Sequence, residues 1–378
     1  MRVLVAPDKF KGTLTAPAAA SAIASGWRRA DPSADPDEVP LADGGEGTLD
    51  ALVAAGGGVL HRVAVAGPLG DPIEAEFGIL EGRGGAVGVV EMARASGLAL
   101  LAPERRDPKR TTTRGTGELI LAGSRAGARS IVVCIGGSAT NDGGAGMAQA
   151  LGVRLLDQDG RELRPGGAHL VDLARIDARG LDPDVAEATI TVATDVTNTL
   201  LGPSGASAIY GPQKGATPDD VALLDRALGH FAAVVHRDLG VDVREMPGAG
   251  AAGGLGAGLV AFLGARLRPG VRVVMEAVGF DPRLESADVV VTGEGAFDAQ
   301  SLQGKVVAGV LRSAGDQGIP VVILCGTQEA EAPDAAVIAS LAERFGPAEA
   351  MAHAPVLLEE LAFETAAAFL GARGRTRG

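Results

Sequence analysis

Four short apolar runs in this chain each stop at an acid that glycine soon follows. They are "VLVAPDKFKG" with Asp8, "VPLADGGEG" with Asp43 and Glu46, "ITVATDVTNTLLG" with Asp195, and "VVVTGEG" with Glu294. A fifth run, "SIVVCI", leads into "GGSATNDGGAG", Gly136 to Gly146, which holds five glycines and no residue larger than Asn or Asp. Glycine costs backbone entropy, so its repetition between ordered elements means that bare backbone is needed there. One Asp-Gly pair is a turn former. Four acids at the ends of apolar runs point further, because ligands of parallel α/β sheets bind beyond the carboxyl ends of the strands.

The pattern between these loops supports an α/β fold. "RVLVAP" reads as a buried strand and "TAPAAASAIASGWRRA" as a helix, with Thr15 as its N-cap and Pro17 in its first turn. "DEVPLAD" reads as a second strand and "GTLDALVAAGGG" as a second helix ending in glycines. Such β-α-β-α order is the signature of a parallel sheet with helices on its faces. From Gly67 the texture changes to short strands and turns. Next come "GTGELILAGSRAG" (helix), "SIVVCI" (strand), "MAQALG" (helix), "EATITVATD" (strand), and the helices "DDVALLDRALGHFAAVVHRDLG" and "GAGLVAFLGA". Near Asp288 the simple alternation returns: "ADVVVTGEG" is strand then loop, "GKVVAGVLRSAGDQG" helix, "IPVVILCGT" strand. "DAAVIASLAERF" and "LEELAFETAAAFLGARG" read as helical, with the last residues, "GARGRTRG", frayed. The expected organisation is a discontinuous first domain, 1–66 plus 285–378, with 67–284 inserted as a second α/β domain.

A chain of 378 residues with 46% hydrophobic residues can bury two sizeable cores. A net charge of -13 argues against nucleic acid or an anionic membrane as partner. The N-terminus lacks the apolar core of a signal peptide, and Gly248 to Ala265, though uncharged, is mostly Gly and Ala. The expectation is a cytoplasmic protein. Cys134 and Cys325 each end an apolar run and read as buried, reduced thiols. Of 34 basic residues only Lys9, Lys11, Lys109, Lys214 and Lys305 are lysines. Lysine is a compact charge suited to phosphate, and Lys11, Lys214 and Lys305 adjoin glycine. Lys109, in "RRDPKR", reads as part of a solvated turn.

Phosphoryl transfer needs backbone amides and lysine to hold phosphates, carboxylates to hold Mg²⁺, and a carboxylate to accept the hydroxyl proton. The loops supply all three without a Walker motif. "GAGAAG", Gly248 to Gly253, matches a dinucleotide fingerprint formally but follows no convincing strand; it reads better as a close-approach loop before a helix, able to hold an anion. The five histidines show no partner pattern, and no G-x-S-x-G elbow supports a hydrolase triad.

Eight segments together resemble the type I glycerate kinase family: "PDKFKGTL", "PLADGGEGT", "GTGELI", "GGSATNDGGAGMAQALG", "DVTNTLLGPSGA", "GPQKGA", "PGAGAAGGLGAGL" and "TGEGAFDAQSLQGK". They occur in family order and span nearly the whole chain. The resemblance implies a flavodoxin-like parallel-sheet domain with a second α/β domain inserted and an active site in the cleft between them. It also implies ATP and Mg²⁺, D-glycerate as acceptor, and 2-phosphoglycerate as product. A kinase for another small hydroxy acid or a sugar acid is the alternative, and homo-oligomerisation stays open. Thr199 stands where the family usually has proline, and Tyr210 where phenylalanine is common.

On this resemblance Lys9 and Lys11 bind an anion, either the glycerate carboxylate or the transferring phosphate. Asp43 and Glu46 serve Mg²⁺ or hydroxyl contacts. Asp195 is the first choice of base and Asp43 the second. Ser138, Thr140, Asn141 and Asp142 line the acceptor or phosphate site. Lys214 and Lys305 are phosphate ligands, and Asn198, Glu294 and Asp298 complete the substrate set.

Overall fold

The computed structural model describes residues 1–82, 85–302, 305–331 and 336–376. Residues 377–378, at the end of the tail expected to fray, lie outside the described residues. In chain order the first strands are β1 (Arg2–Val5), β2 (Asp35–Glu38), β3 (Val59–Ala66), β4 (Pro72–Gly82) and β5 (Gly85–Glu91). Then come β6 (Ser130–Cys134), β7 (Arg154–Leu156), β8 (Arg175–Asp177), β9 (Thr189–Ala193) and β10 (Arg266–Arg268). The last are β11 (Val289–Phe297), β12 (Val321–Gln328) and β13 (Ala336–Ser340). Contacts divide the chain into two compact units: Met1–Asp43, Asp50–Gly57 and Val271–Gly378 form the first, and Gly44–Leu49 and Gly58–Gly270 the second.

The first unit is built on a five-stranded sheet of order β13-β12-β11-β1-β2, parallel throughout. Renumbered within the sheet this is the flavodoxin-like order 2-1-3-4-5. The central strands β1, β11 and β12 are runs of Val, Ile and Leu buried on both faces, as a covered parallel sheet requires. The helix Ala16–Ala30 starts as the sequence predicts, with the Thr15 hydroxyl accepting the Ala18 amide and a proline in the first turn. It packs on the helix Ala354–Thr376, where Trp27 meets Phe369 edge-on at 5.9 Å. Gly26 permits that crossing: a Cβ there would lie 2.7 Å from Ala362 Cβ.

The second unit holds a six-stranded mixed sheet of order β10-β9-β6-β5-β4-β3. β5, β6, β9 and β10 are parallel, and β5-β4-β3 is an antiparallel meander. Its core joins Val90, Ile131, Val133 and Val192 of the sheet to Leu119 and Ile120, Phe231, and Leu255 and Leu259 of three helices. A separate hairpin pairs β7 with β8.

Four expectations shift. The boundary expected after residue 66 falls after Gly57, because β3 is held by β4. The return to the first unit comes at Val271, because Val271 and Met275 lie against Gly309 of the helix Val306–Gln317. "DAAVIASLAERF", expected to be helical, is a strand over Ala336–Ser340 and a helix only over Leu341–Phe345. β12 offers its open edge there, so backbone pairing with a β-branched run outweighs alanine's helix preference. The second strand lies at Asp35–Glu38 rather than over "DEVPLAD"; as an edge strand with polar side chains it carries no apolar signature.

Candidate active site

In the 2-1-3-4-5 order the connections leave β1 and β11 in opposite directions, which opens a crevice at their carboxyl ends. Asp8 follows β1, and Glu294 lies on β11. The Asp8 amide donates to Gly293 O at 2.8 Å, and the Thr292 hydroxyl donates to Ala6 O at 2.8 Å. Gly295 keeps the Lys9–Lys11 turn close, since a Cβ there would sit 2.8 Å from the Lys11 nitrogen. Asp8 is 8% exposed. Burial and then the Asp43 charge push its carboxyl up to about 7, against the Lys9 amide that donates to it at 2.7 Å. Glu294 is buried, and its Oε1 meets no hydrogen-bond partner. Burial raises its pKa, with Asp298 and Asp43 adding and Ser301 and Lys305 opposing.

These groups sit within one electrostatic neighbourhood: Asp8, Asp43, Glu294 and Lys305, with Lys9 and Lys11 in the turn after β1. Lys305 occupies the N-cap of the helix Val306–Gln317 and offers no side-chain cap. A cation at a helix N-terminus is disfavoured alone and favoured once an anion joins it. Asp298 is engaged locally. It accepts the Gln300 amide at 2.7 Å and the Ser301 amide at 3.1 Å, and these bonds, the Ser301 amide foremost, hold its pKa low.

The Gly136–Gly146 loop follows β6 in the second unit. Ala139, Thr140, Asn141 and Asp142 are buried. Asp142 accepts from the Thr113 amide (2.8 Å) and hydroxyl (3.0 Å) and from the Gly144 and Gly146 amides (both 3.2 Å). Burial raises its pKa while the Thr113 donors and those amides resist. Lys214 is 1% exposed, and its Nζ donates to Ser138 Oγ at 2.8 Å and Thr140 O at 2.7 Å. Burial pushes its ammonium down to about 7, with the Asp142 charge opposing. The loop has no lysine of its own, so the turn Pro212–Lys214 brings one to it. Asn141 donates to Ser207 Oγ at 3.0 Å, while Asn141 Oδ1 and Thr140 Oγ1 have no partner.

The "GAGAAG" stretch packs its glycines on protein: Gly248 against Val196 O and Leu267, Gly250 against Asn198 and Thr199, and Gly253 against this same loop. Gly253, at φ +68°, lies so close to Thr140 O that no Cβ fits, and its carbonyl accepts the Gly143 amide at 3.1 Å. Ala252 takes a positive φ, 54°, the one non-glycine residue to do so among those described. The close approach is thus to protein backbone.

Asp195 is exposed at the end of β9, and its Oδ1 accepts the Gly270 amide at 3.0 Å. Asn198 braces its own loop: Nδ2 donates to Ser204 O at 2.7 Å and Oδ1 accepts the Tyr210 hydroxyl at 2.8 Å. Glu46 is exposed on Gly44–Leu49. That segment sits on strand ends of the second sheet: a Cβ on Gly44 would meet Ala193 O at 2.9 Å, and one on Gly136 would meet Gly45 Cα at 2.7 Å. Lys109, expected in a solvated turn, is half-buried and pairs with Asp220 at 2.7 Å. Cys134 and Cys325 are buried thiols outside any disulfide. Sequence reasoning noticed Asp8 but gave it no role, and passed over Thr113 and Glu91; the cue for Glu91 was an acid closing the apolar run "AVGVV". Among the described residues no three acidic, His or Cys side chains form a metal-binding group, and no helix is long and apolar enough to cross a membrane.

A flavodoxin-like parallel sheet with charged groups at its switch point, together with a second, mixed sheet, defines a two-unit α/β protein. The glycerate kinase family profile matches residues 3–370. A glycerate kinase of Halalkalibacterium halodurans is 49% identical over 325 residues, 86% of this chain and 85% of the relative. The glycerate 2-kinase of Escherichia coli K12 is 48% identical over 327 residues, again 86% and 85%. A crystal structure described as putative glycerate kinase 2 from Salmonella typhimurium LT2 superposes with a TM-score of 0.90 at 45% identity, covering 99% of both chains. This chain belongs to the glycerate kinase family.

Proposed function

We propose that this enzyme transfers the γ-phosphoryl group of ATP to D-glycerate, giving 2-phosphoglycerate, in the cytoplasm. The observation that carries the reading is near-half identity, over most of both chains, to relatives named for glycerate phosphorylation, one for the 2-position. The first unit supports it with Lys9, Lys11 and Lys305 as anion ligands beside Asp8, Asp43 and Glu294. Burial raises Asp8 and Glu294 first and the Asp43 charge adds to both, a repulsion that a bound cation would relieve. Asp43 and Glu46 would hold Mg²⁺, which is commonly bound by one or two carboxylates together with substrate phosphates. When bound, that ion neutralises phosphate oxygens.

Asp195 is the proposed base: it is exposed and oriented by the Gly270 amide. Asp43 is the second choice. Ser138, whose oxygen already accepts from Lys214, has its own proton to give to a ligand oxygen. Lys214 then supports the loop from beneath rather than as an exposed phosphate clamp.

The test is ADP release from Mg²⁺-ATP with D-glycerate, followed by phosphorus NMR of the product. Turnover with another hydroxy acid but not D-glycerate overturns the substrate; a resonance from the 3-phosphate overturns the position. Asp195→Asn should lower kcat by about 10²–10⁴ with ATP binding largely intact. Near-normal kcat in that variant, with loss in Asp43→Asn, moves the base to Asp43.

A further inference from the structure

Glu91 ends β5 and is 2% exposed. Its carboxylate reaches the segment that carries Glu46. The Gly47 amide donates to Oε1 at 3.0 Å and Oε2 at 3.2 Å, and the Leu49 amide donates to Oε2 at 3.1 Å. Those amides open the helix Thr48–Gly56, whose start has glycine where a capping side chain would stand. The cap comes instead from 42–44 residues along the chain. A carboxylate there also meets the positive end of the helix dipole. Thr48 ties the turn locally, its hydroxyl donating to Gly45 O at 2.6 Å. Glu46 thus lies in a turn closed by Thr48 within and by Glu91 without.

We propose that Glu91 is a positioning residue: by binding the Gly47 and Leu49 amides it sets the backbone from which Glu46 presents its carboxylate. The assignment rests on the reading of Glu46 as a Mg²⁺ ligand in phosphoryl transfer. Glutamine is the discriminating replacement, because it keeps size but turns one acceptor into an N–H that faces an amide donor.

Hydrogen–deuterium exchange of wild type and Glu91→Gln tests the positioning without any turnover. Exchange in a peptide covering 44–52 should be about tenfold faster in the variant, with the helix Arg114–Arg125 unchanged. Kinetics test the coupling to Glu46: Glu91→Gln should raise the Mg²⁺ concentration for half-maximal rate severalfold, and Glu91→Gln/Glu46→Gln should be no slower than Glu46→Gln alone. Unchanged exchange, or effects that multiply in the double variant, overturns the proposal. If Glu91→Gln does not fold, wild type decides: the Gly47 and Leu49 amides must be protected, and exchange at the rate of an open loop overturns it. A wild type inert toward glycerate sinks the kinase reading and leaves the exchange result standing.

Discussion

The turn after β1 and the loop after β6 look alike in sequence, each a strand end with glycine, an acid and small residues, yet they are built in opposite ways. After β1 the acid is buried beside other acids: burial first, then the Asp43 and Glu294 charges, raise Asp8, and Glu294 Oε1 meets no donor. After β6 the acid is satisfied within the protein, Asp142 taking four donors. The first arrangement gathers charge of one sign in a buried place. The second uses its polar groups to shape backbone. A glycine-rich loop with an acid is therefore either a binding surface or a scaffold, and the hydrogen-bond partners of the acid separate the two.

The largest effect expected from breaking this contrast is at Asp142. Asp142→Ala strands buried donors at Thr113, Gly144 and Gly146 and should cost about 4 kcal/mol or more in denaturant unfolding. A loss under about 1 kcal/mol would remove its scaffold role. Gly253→Ala should follow at about 2–4 kcal/mol, because it adds a Cβ at φ +68° against Thr140 O; stability equal to wild type would show that the two loops do not pack as described.

The two regions should also respond oppositely to pH. Asp8 has its folded pKa raised from 3.8 to about 7, so the folded state holds a proton that the unfolded state releases in that window. Its stability contribution is complete below about 3.8 and is lost as pH rises through about 7. Asp8→Asn should therefore gain on wild type from about pH 4 to 7 and run parallel above. Lys214 has its folded pKa lowered from 10.5 to about 7, so the unfolded state binds the extra proton and stability rises with pH between those values. Wild type should gain on Lys214→Met over that range, read from denaturation midpoints at stepped pH. Slopes of one sign for both would erase the contrast. The smallest effect belongs to Lys109→Met. Its ion pair with Asp220 is partly exposed, worth about 1 kcal/mol or less, and the KM for ATP should stay put.

Much of the fold was legible because it rests on local rules. Thr15, Pro17 and the apolar face after them place the first helix within a residue of where it lies. β1, β6, β9, β11 and β12 announce themselves as Val- and Ile-rich runs. β13 was missed and β2 was expected a few residues further on, because edge strands are made by a neighbour's open hydrogen bonds rather than by their own pattern. Of the candidate site, the acids that follow strands were legible one by one, and Asp8, Asp43 and Glu294 of the first unit share one electrostatic neighbourhood while Asp195 and Glu46 lie in the second unit. Their division of labour was not: Lys214 reaches Ser138 across 76 residues, and Glu91 reaches Leu49 across 42.

By itself, then, the sequence determined the alternation of strands and helices, the glycine-rich ends of those strands, and the ionisable groups stationed there, since each depends on residues a few places apart. Only the tertiary structure decided which parts of the chain take up those groups, as Thr113, Gly144 and Gly146 take up Asp142 and Ser138 and Thr140 take up Lys214. That outcome depends on burial and on partners brought from far along the chain, and neither has a local signature.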